Sequence, residues 1–155
     1  MPAMQVSRKV DYALRAMIYL SFQEGGQPCS VGQIASDEGI PKKFLEKIIQ
    51  DLIHHGLVHS TRGAQGGYTL ARSAGTVTFK DVIEAIEGPV SLNVCVGESG
   101  ERSDNICTLY PRCAMLSVWQ EAQNRVMDLF ASTTLADVRT RHGSLPRVAD
   151  DVVAG

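Results

Sequence analysis

Residues 41–70 have the sequence PKKFLEKIIQDLIHHGLVHSTRGAQGGYTL, which predicts a helix followed by a two-stranded hairpin. Pro41 suits the first helical position, because proline has no backbone N–H to lose there. Gly56 is placed to end the helix in the left-handed conformation. Two β-prone runs, Leu57-Val58 and Tyr68-Thr69-Leu70, flank a glycine-rich turn. A helix followed by such a hairpin has the geometry of a winged helix-turn-helix, whose second helix enters the DNA major groove.

Apolar residues form one face of the predicted helix, because they recur at spacings of three and four. They are Phe44, Leu45, Ile48, Leu52 and Ile53. The opposite face carries Lys42, Lys43, Glu46, Lys47, Gln50 and Asp51. Three lysines alone are more typical of an ordinary solvated helix face, but Pro41, Gly56 and the hairpin with an arginine at its tip favour a nucleic-acid contact.

Two shorter helices are predicted upstream. Ser7 is a plausible N-cap for a helix that extends to about Gln23. Ser30 begins a second helix, and Gly39 is expected to end it. The order of helix, short helix, turn and longer helix is the order of a helix-turn-helix unit.

The chain after the hairpin divides into three parts. Thr78 is expected to cap a helix that ends at Gly88 and completes a winged-helix domain over residues 1–88. Residues 89–112 show no periodicity and predict a long loop, which in a compact domain is functional or disordered. Residues 142–155 predict a flexible tail.

Residues 113–141, between the loop and the tail, are predicted to form two helices. The first is long and is predicted from about Pro111 to Ser132, so it begins just before this part of the chain. The second is short and begins with a capping pattern at Thr133-Thr134. The long helix has an apolar stripe of Met115, Trp119, Ala122, Val126, Leu129 and Phe130. Such a stripe needs a covering surface, either a second copy of the chain or the chain's own domain. The predicted fold class is mostly α with a small β wing (α+β): a winged helix-turn-helix domain plus a long C-terminal helix.

Composition excludes several classes of protein. The hydrophobic fraction of 44% and charged fraction of 21% are ordinary for a globular protein. We expect a cytoplasmic protein with no membrane partner, since there is neither a signal peptide nor an apolar run of membrane-spanning length. Residues 1–80 carry nine Lys/Arg against six Asp/Glu, whereas residues 81–155 carry six against eleven, so the positive charge accompanies the predicted DNA-binding unit. No hydrolase, Walker or paired-carboxylate signature predicts an enzyme.

Three cysteines lie in or beside the predicted loop. Cys95, Cys107 and Cys113 are separated by eleven and five residues, and Cys113 is expected at or near the start of the long helix. Thiolates in a reducing compartment are soft ligands for an iron–sulfur cluster, copper(I) or zinc, or they are redox groups. The spacing alone leaves a cluster, zinc and unligated redox thiols open. Cys29 is interpreted as structural.

The segments GIPKKFLEKIIQDLIHHGLVHSTRGAQGGYTLAR and EGPVSLNVC…CTLYPRCAMLSVW closely resemble the IscR/NsrR-type (Rrf-two) bacterial transcription regulators. The resemblance covers roughly residues 5–139. It implies a homodimer that binds a double-stranded DNA operator, with the long helix as the dimerisation helix. It also implies an iron–sulfur cluster, of two-iron or four-iron type, on Cys95, Cys107 and Cys113. Nitric oxide, iron level, cluster supply or redox state could then act as the signal.

The sequence departs from this family in its possible fourth ligand. Leu116 stands where the IscR branch has a histidine, and the first cysteine gap is longer than in the best-known members. Asp11 matches the carboxylate that NsrR-like members supply from the first helix of the partner subunit. The alternative is a surface aspartate paired with Arg15 four residues on. A cluster-free regulator that uses the cysteines as redox thiols or zinc ligands also stays open.

The resemblance also implies the DNA contacts. Helix 41–55 would lie in the major groove, and the wing, residues 57–71, would place Arg62 in the minor groove. Glycines at the wing tip would let its backbone approach DNA closely. The predicted DNA-binding residues are Lys42, Lys43, Glu46, Lys47, Arg62, Gly63, Gln65 and Gly66.

Overall fold

A computed structural model describes residues 6–97 and 107–145 of the 155-residue chain. The described residues form six α-helices, one short 3₁₀ turn at Glu24–Gly26 and a two-stranded sheet. In chain order the elements are α1 (Arg8–Ser21), α2 (Val31–Glu38), α3 (Lys42–His54), β1 (Val58–Thr61), β2 (Gly67–Leu70), α4 (Phe79–Glu87), α5 (Leu116–Ser132) and α6 (Leu135–His142). The predicted fold class is confirmed. No helix among these residues is long and apolar enough to cross a membrane.

The predicted caps of α1 and α2 are present. The Ser7 side chain accepts a hydrogen bond from the backbone N–H of Val10, and the Ser30 side chain accepts one from Gln33. Gly39 ends α2 with φ of 63°, the left-handed conformation that glycine adopts at least cost. Helix α1 ends at Ser21, two residues before the predicted end. A boundary error of this size is usual, because helix ends fray.

Pro41 lies just outside α3 instead of in its first turn, so that prediction was wrong by one position. Its ψ of 122° is extended. Its carbonyl nevertheless accepts hydrogen bonds from the backbone N–H groups of Phe44 and Leu45, each at 3.0 Å. The end of α3 matches the prediction: Gly56 has φ of 70°, and the backbone N–H of Leu57 donates to the carbonyl of Leu52 at 2.9 Å.

The core lies between α1, α2, α3 and α4. Helix α3 contributes Leu45, Ile48, Ile49 and Leu52, all fully buried. The predicted apolar face of α3 was therefore wrong at two positions: it omitted a buried residue, Ile49, and included an exposed one, Phe44. Phe44 is 43% exposed and rests its ring edge-on against Tyr12 at 5.8 Å.

The wing is an antiparallel hairpin whose register runs from Val58 opposite Leu70 to Thr61 opposite Gly67. Its second strand also pairs with the segment before α2. The Cys29 N–H donates to the Tyr68 carbonyl at 3.0 Å, and the Tyr68 N–H donates to the Cys29 carbonyl at 2.8 Å. A hairpin tied to a third segment is held more rigidly than an isolated one.

Helix α4 begins as predicted, with a reciprocal capping box between Thr78 and Asp81. Helix α5 begins at Leu116, five residues after the predicted start at Pro111. The residues before it form turns, in which the carbonyls of Cys107 and Cys113 each accept a hydrogen bond from the residue three positions on.

The last predicted boundary shifts by one residue. Thr134 and Asp137 form a second capping box at the start of α6. His142 is the last residue of α6, and so it is not part of a tail as predicted. The rest of the predicted tail, from residue 146 on, lies outside the described residues.

Candidate nucleic-acid interface and cysteine segment

The outer face of α3 carries the predicted DNA-contacting side chains. Lys42, Lys43, Glu46 and Lys47 are all exposed. Successive helical residues are separated by about 100°, so the buried residues of the same helix direct this group away from the core. Three lysines and one glutamate leave a positive surface, as a contact with phosphate groups requires.

Contacts from α1 hold α3 in place. The Lys9 ammonium lies 2.7 Å from a carboxylate oxygen of Asp51 in α3. Tyr12 meets Phe44 as described above. These contacts join the first helix to the helix with the lysine face, so α1 helps to orient that face.

A partly buried ion pair joins α1 to the end of α2. Arg15 Nε lies 3.3 Å from Glu38 Oε2, and the guanidinium also donates to the Glu38 carbonyl. Glu38 is only 8% exposed, and this burial raises the pKa of its carboxyl group, although Arg15 opposes the rise. Next to it the Tyr19 hydroxyl donates to Asp37 at 2.6 Å. Sequence reasoning missed Glu38, because a charged residue at the end of a helix gives no signal that it is buried.

The wing tip is a five-residue turn from Arg62 to Gly66, in which Arg62, Gly63 and Gln65 are exposed. The Gly66 N–H donates to the Gly63 carbonyl at 3.0 Å. A side chain at Gly66 would collide with the Thr61 carbonyl. The turn itself therefore requires glycine at this position, whether or not the Gly66 backbone approaches DNA.

The structure describes all three predicted cysteine ligands but does not gather them. Cys95, Cys107 and Cys113 are free thiols of intermediate exposure. Across residues 6–97 and 107–145, no three His, Cys, Asp or Glu side chains form a group that could hold a metal ion. The donor atoms fit an iron–sulfur cluster chemically, because thiolates are its usual ligands. The single chain, as described, does not supply the arrangement.

Asp11 lies exposed on α1. Its carboxylate is 3.8 Å from the guanidinium of Arg15, four residues on. This is the surface pair that the sequence offered as the alternative to a ligand role.

Helix α5 has two different apolar faces. One packs on its own domain through Met127 and through Phe130, whose ring stacks on Phe79 at 6.5 Å. The other leaves Met115, Val118 and Leu129 between 58% and 67% exposed. The predicted stripe therefore merged two surfaces: Phe130 belongs to the inner face, and Val118, which was not predicted, belongs to the outer one.

Gln123 is a buried polar residue in the middle of α5. Its side-chain Nε2 donates to the carbonyl of Val90 at 2.7 Å, and its Oε1 accepts from the backbone N–H of Leu92 at 2.9 Å. Both partners belong to the segment that leads to Cys95. Sequence reasoning missed Gln123, since one glutamine among helical residues resembles any solvated position.

Comparison with known proteins gives consistent results. The model of the Rrf2 family, described as an iron-dependent transcriptional regulator, matches residues 6–141. A protein of Mycobacterium tuberculosis described as an HTH-type transcriptional regulator is 34% identical over 152 residues, which cover 96% of this chain and 90% of that protein.

Solved structures are similar along almost the whole chain. CymR, described as the global cysteine regulator of B. subtilis, is 32% identical with a TM-score of 0.73, and the match covers 90% of this chain and 98% of that one. IscR of T. potens is 28% identical with a TM-score of 0.72, and the match covers 96% and 97% of the two chains. These similar proteins are transcriptional regulators, not enzymes, as the sequence predicted for this chain.

Proposed function

The chain belongs to the Rrf2 family of transcriptional regulators, and from this premise we propose that it is a homodimeric, cluster-bearing regulator of bacterial transcription. It binds operator DNA through α3 and the wing. Cys95, Cys107 and Cys113 hold an iron–sulfur cluster whose state changes DNA binding. Such a protein acts in the cytoplasm, where its operator is.

The observation that carries the DNA-binding role is the exposed face of α3 beside an exposed wing tip. The lysines of α3 project from a helix whose other side is fully buried, so the core fixes their direction. Arg62 extends from a hairpin that is hydrogen-bonded to Cys29 at its second strand. A rigid cationic helix and a rigid arginine-bearing wing suit the major and minor grooves respectively.

The dimer is supported by the outer stripe of α5. Met115, Val118 and Leu129 form a row on one side of the helix and contact little of their own domain. Exposed apolar rows of this kind mark interaction surfaces. Because the same face is available on every copy, a two-fold symmetric pairing of α5 with α5 covers both rows at once.

The cluster is supported by three free thiols of intermediate exposure and by the family's description as iron-dependent. A bound cluster would supply a link among the thiolates that is sensitive to redox state, iron supply or nitric oxide. The chain's own residues would then bind it from the turn at Cys95 and from the turns before α5. Asp11 of the partner subunit is the proposed fourth ligand.

A second candidate function is a cluster-free regulator whose cysteines act as redox thiols or zinc ligands. The separate placement of the three thiols in the described chain favours it. The similarity to CymR, which is described as a cysteine regulator, is compatible with it. Both candidates share the same DNA-binding surface and differ only in what the cysteines hold.

The deciding experiment is purification without oxygen, followed by the visible absorption spectrum and counts of iron and acid-labile sulfide per chain. The proposal predicts stoichiometric iron and sulfide in the wild type and in Cys29→Ala, and their loss in Cys113→Ser. Asp11→Ala should change the spectrum or the loading. A colourless wild type that cannot be reconstituted would refute the cluster and leave the second candidate.

The DNA-binding role is tested on a duplex selected from a random-sequence library by the wild-type protein. Arg62→Ala should weaken binding to that duplex by about 1–3 kcal/mol at fixed salt. Arg141→Ala is the matched control, because it removes an exposed arginine of α6, outside the proposed interface. Equal affinities of the two variants would remove the wing from the interface.

A further inference from the structure

We propose that Gln123 is the positioning residue that holds Cys95 in place on α5. The inference rests on the proposed function only in treating Cys95 as part of the sensing site. Gln123 is 6% exposed, and both ends of its amide are used. Its Nε2 donates to the Val90 carbonyl at 2.7 Å, while its Oε1 accepts from the Leu92 N–H at 2.9 Å.

The two hydrogen bonds select one placement of this segment. A buried amide is costly unless it finds partners, and here both partners are backbone groups two residues apart. A placement in which these backbone groups did not face the amide would leave a buried donor and a buried acceptor without partners. An apolar side chain at position 123 could fill the same space without this discrimination. Gln123 therefore specifies the register of residues 90–92 on α5.

Cys95 follows this anchor closely. Only Asn93 and Val94 separate it from Leu92, and Cys95 itself lies in a turn that is closed by the Val96 N–H, which donates to the Asn93 carbonyl at 3.1 Å. Val96 is itself only 8% exposed, so the chain is restrained on both sides of Cys95.

Helix α5 thus carries both ends of the cysteine segment. Gln123 of α5 links the helix to Cys95. Cys113 is joined to the helix directly, because it precedes Leu116 by three residues and its carbonyl accepts a hydrogen bond from the Leu116 N–H at 3.1 Å. A chemical change at Cys95 consequently bears on the helix whose outer stripe is proposed to pair in the dimer.

The test is the alkylation rate of each cysteine in the reduced, metal-free, full-length protein. A short pulse of N-ethylmaleimide is followed by peptide mass spectrometry, which gives a separate rate for every thiol. Gln123→Glu keeps the shape of the side chain but sets a carboxylate oxygen against the Val90 carbonyl. Gln120→Glu is the matched control, because it makes the same chemical change at an exposed position of α5.

In Gln123→Glu, we expect alkylation at Cys95 to accelerate by roughly tenfold, since local opening exposes a thiol that the anchor restrains. Gln120→Glu should match the wild type. Cys29, which is 3% exposed in the core, reports global opening and should keep its wild-type rate. Gln123→Met, which removes both hydrogen bonds without adding charge, should act like Gln123→Glu and decides the matter if the charged variant does not fold.

An unchanged rate at Cys95 would overturn the proposal. So would a parallel rise at Cys29 in both variants, because Gln123 would then stabilise the whole domain instead of positioning one cysteine. The measurement uses neither DNA nor a cluster. A protein that never binds iron would refute the cluster and leave this inference standing. An unchanged Cys95 rate in the metal-free Gln123 variants of a protein that does bind a cluster would do the reverse.

Discussion

Replacing Val118 with aspartate should dissociate the proposed dimer. Val118 lies in the first turn of α5 and is 67% exposed, the largest exposure among the apolar side chains of that helix's outer stripe. In a two-fold symmetric interface the residue occurs twice, so one substitution acts on both subunits.

The size of the effect follows from that exposure. Full burial of a valine side chain contributes about 1.5–3 kcal/mol. Burying the remaining two-thirds in an interface therefore contributes roughly 1–2 kcal/mol per subunit and about 2–4 kcal/mol per dimer. At 1.4 kcal/mol per tenfold, the dissociation constant should rise by roughly 30-fold to 1000-fold. Desolvation of two aspartates adds to this loss.

Sedimentation equilibrium over a range of protein concentrations measures the dissociation constant directly. The matched control is Ser117→Asp, which puts the same charge in the same first turn, on an exposed position about 100° around the helix. Both variants receive the same favourable interaction with the helix N-terminus, so their difference reports the surface alone. Circular dichroism spectra should agree for all three proteins.

Equal dissociation constants for the Val118→Asp variant and the wild type would refute this reasoning. The outer stripe would then lie outside the subunit interface. If Ser117→Asp dissociated the dimer as strongly, the loss would reflect charge on α5 in general, and the assigned face would be wrong.

Three further predictions concern the winged domain. Burial raises the pKa of the Glu38 carboxyl, although Arg15 opposes the rise, so the native state binds this proton more tightly than the unfolded state does. The free energy of unfolding of the wild type in urea, measured relative to that of Glu38→Gln, should therefore increase as the pH falls from neutral towards about 4. In Gly67→Ala the added Cβ would lie 2.7 Å from the backbone carbon and oxygen of Cys29, so we expect the free energy of unfolding to fall by about 1–3 kcal/mol. Gly75→Ala is the control, because its Cβ would make only an ordinary van der Waals contact, and it should match the wild type. Burial also raises the pKa of the Cys29 thiol, so less of it is thiolate at neutral pH. Cys29 should therefore be alkylated much more slowly than the three cysteines downstream. An equal rate would contradict its place in the core.

Local chemistry accounts for what could be predicted. Ser30 and Thr78 predict where helices begin, because each hydroxyl accepts a hydrogen bond from a backbone N–H three residues on. Gly39 and Gly56 predict where helices end, because glycine adopts positive φ at the least steric cost. These signals need no knowledge of the rest of the chain. The order of helices, the hairpin and the exposed lysine face follow from them.

The misses share one cause, which is that burial depends on which elements meet. Phe44 fits the apolar period of α3 but finds only the edge of Tyr12 to cover it. Helix α5 has one long apolar pattern, yet α4 covers Phe130 through Phe79 and leaves Val118 exposed. The apolar periodicity of one helix does not indicate which of its faces a neighbouring element will bury.

The sequence alone was sufficient for most of the secondary structure, the winged-helix order and the exposed lysine face of α3, because caps, turns and apolar periods act over a few residues. Tertiary packing determined the rest: the partly buried Arg15–Glu38 pair, the attachment of the wing to Cys29 and the hydrogen bonds of Gln123 to the segment before Cys95. Each of these joins residues more than twenty positions apart. Polar contacts at that range form only after apolar burial has brought the elements together, and they leave no periodic trace in the chain.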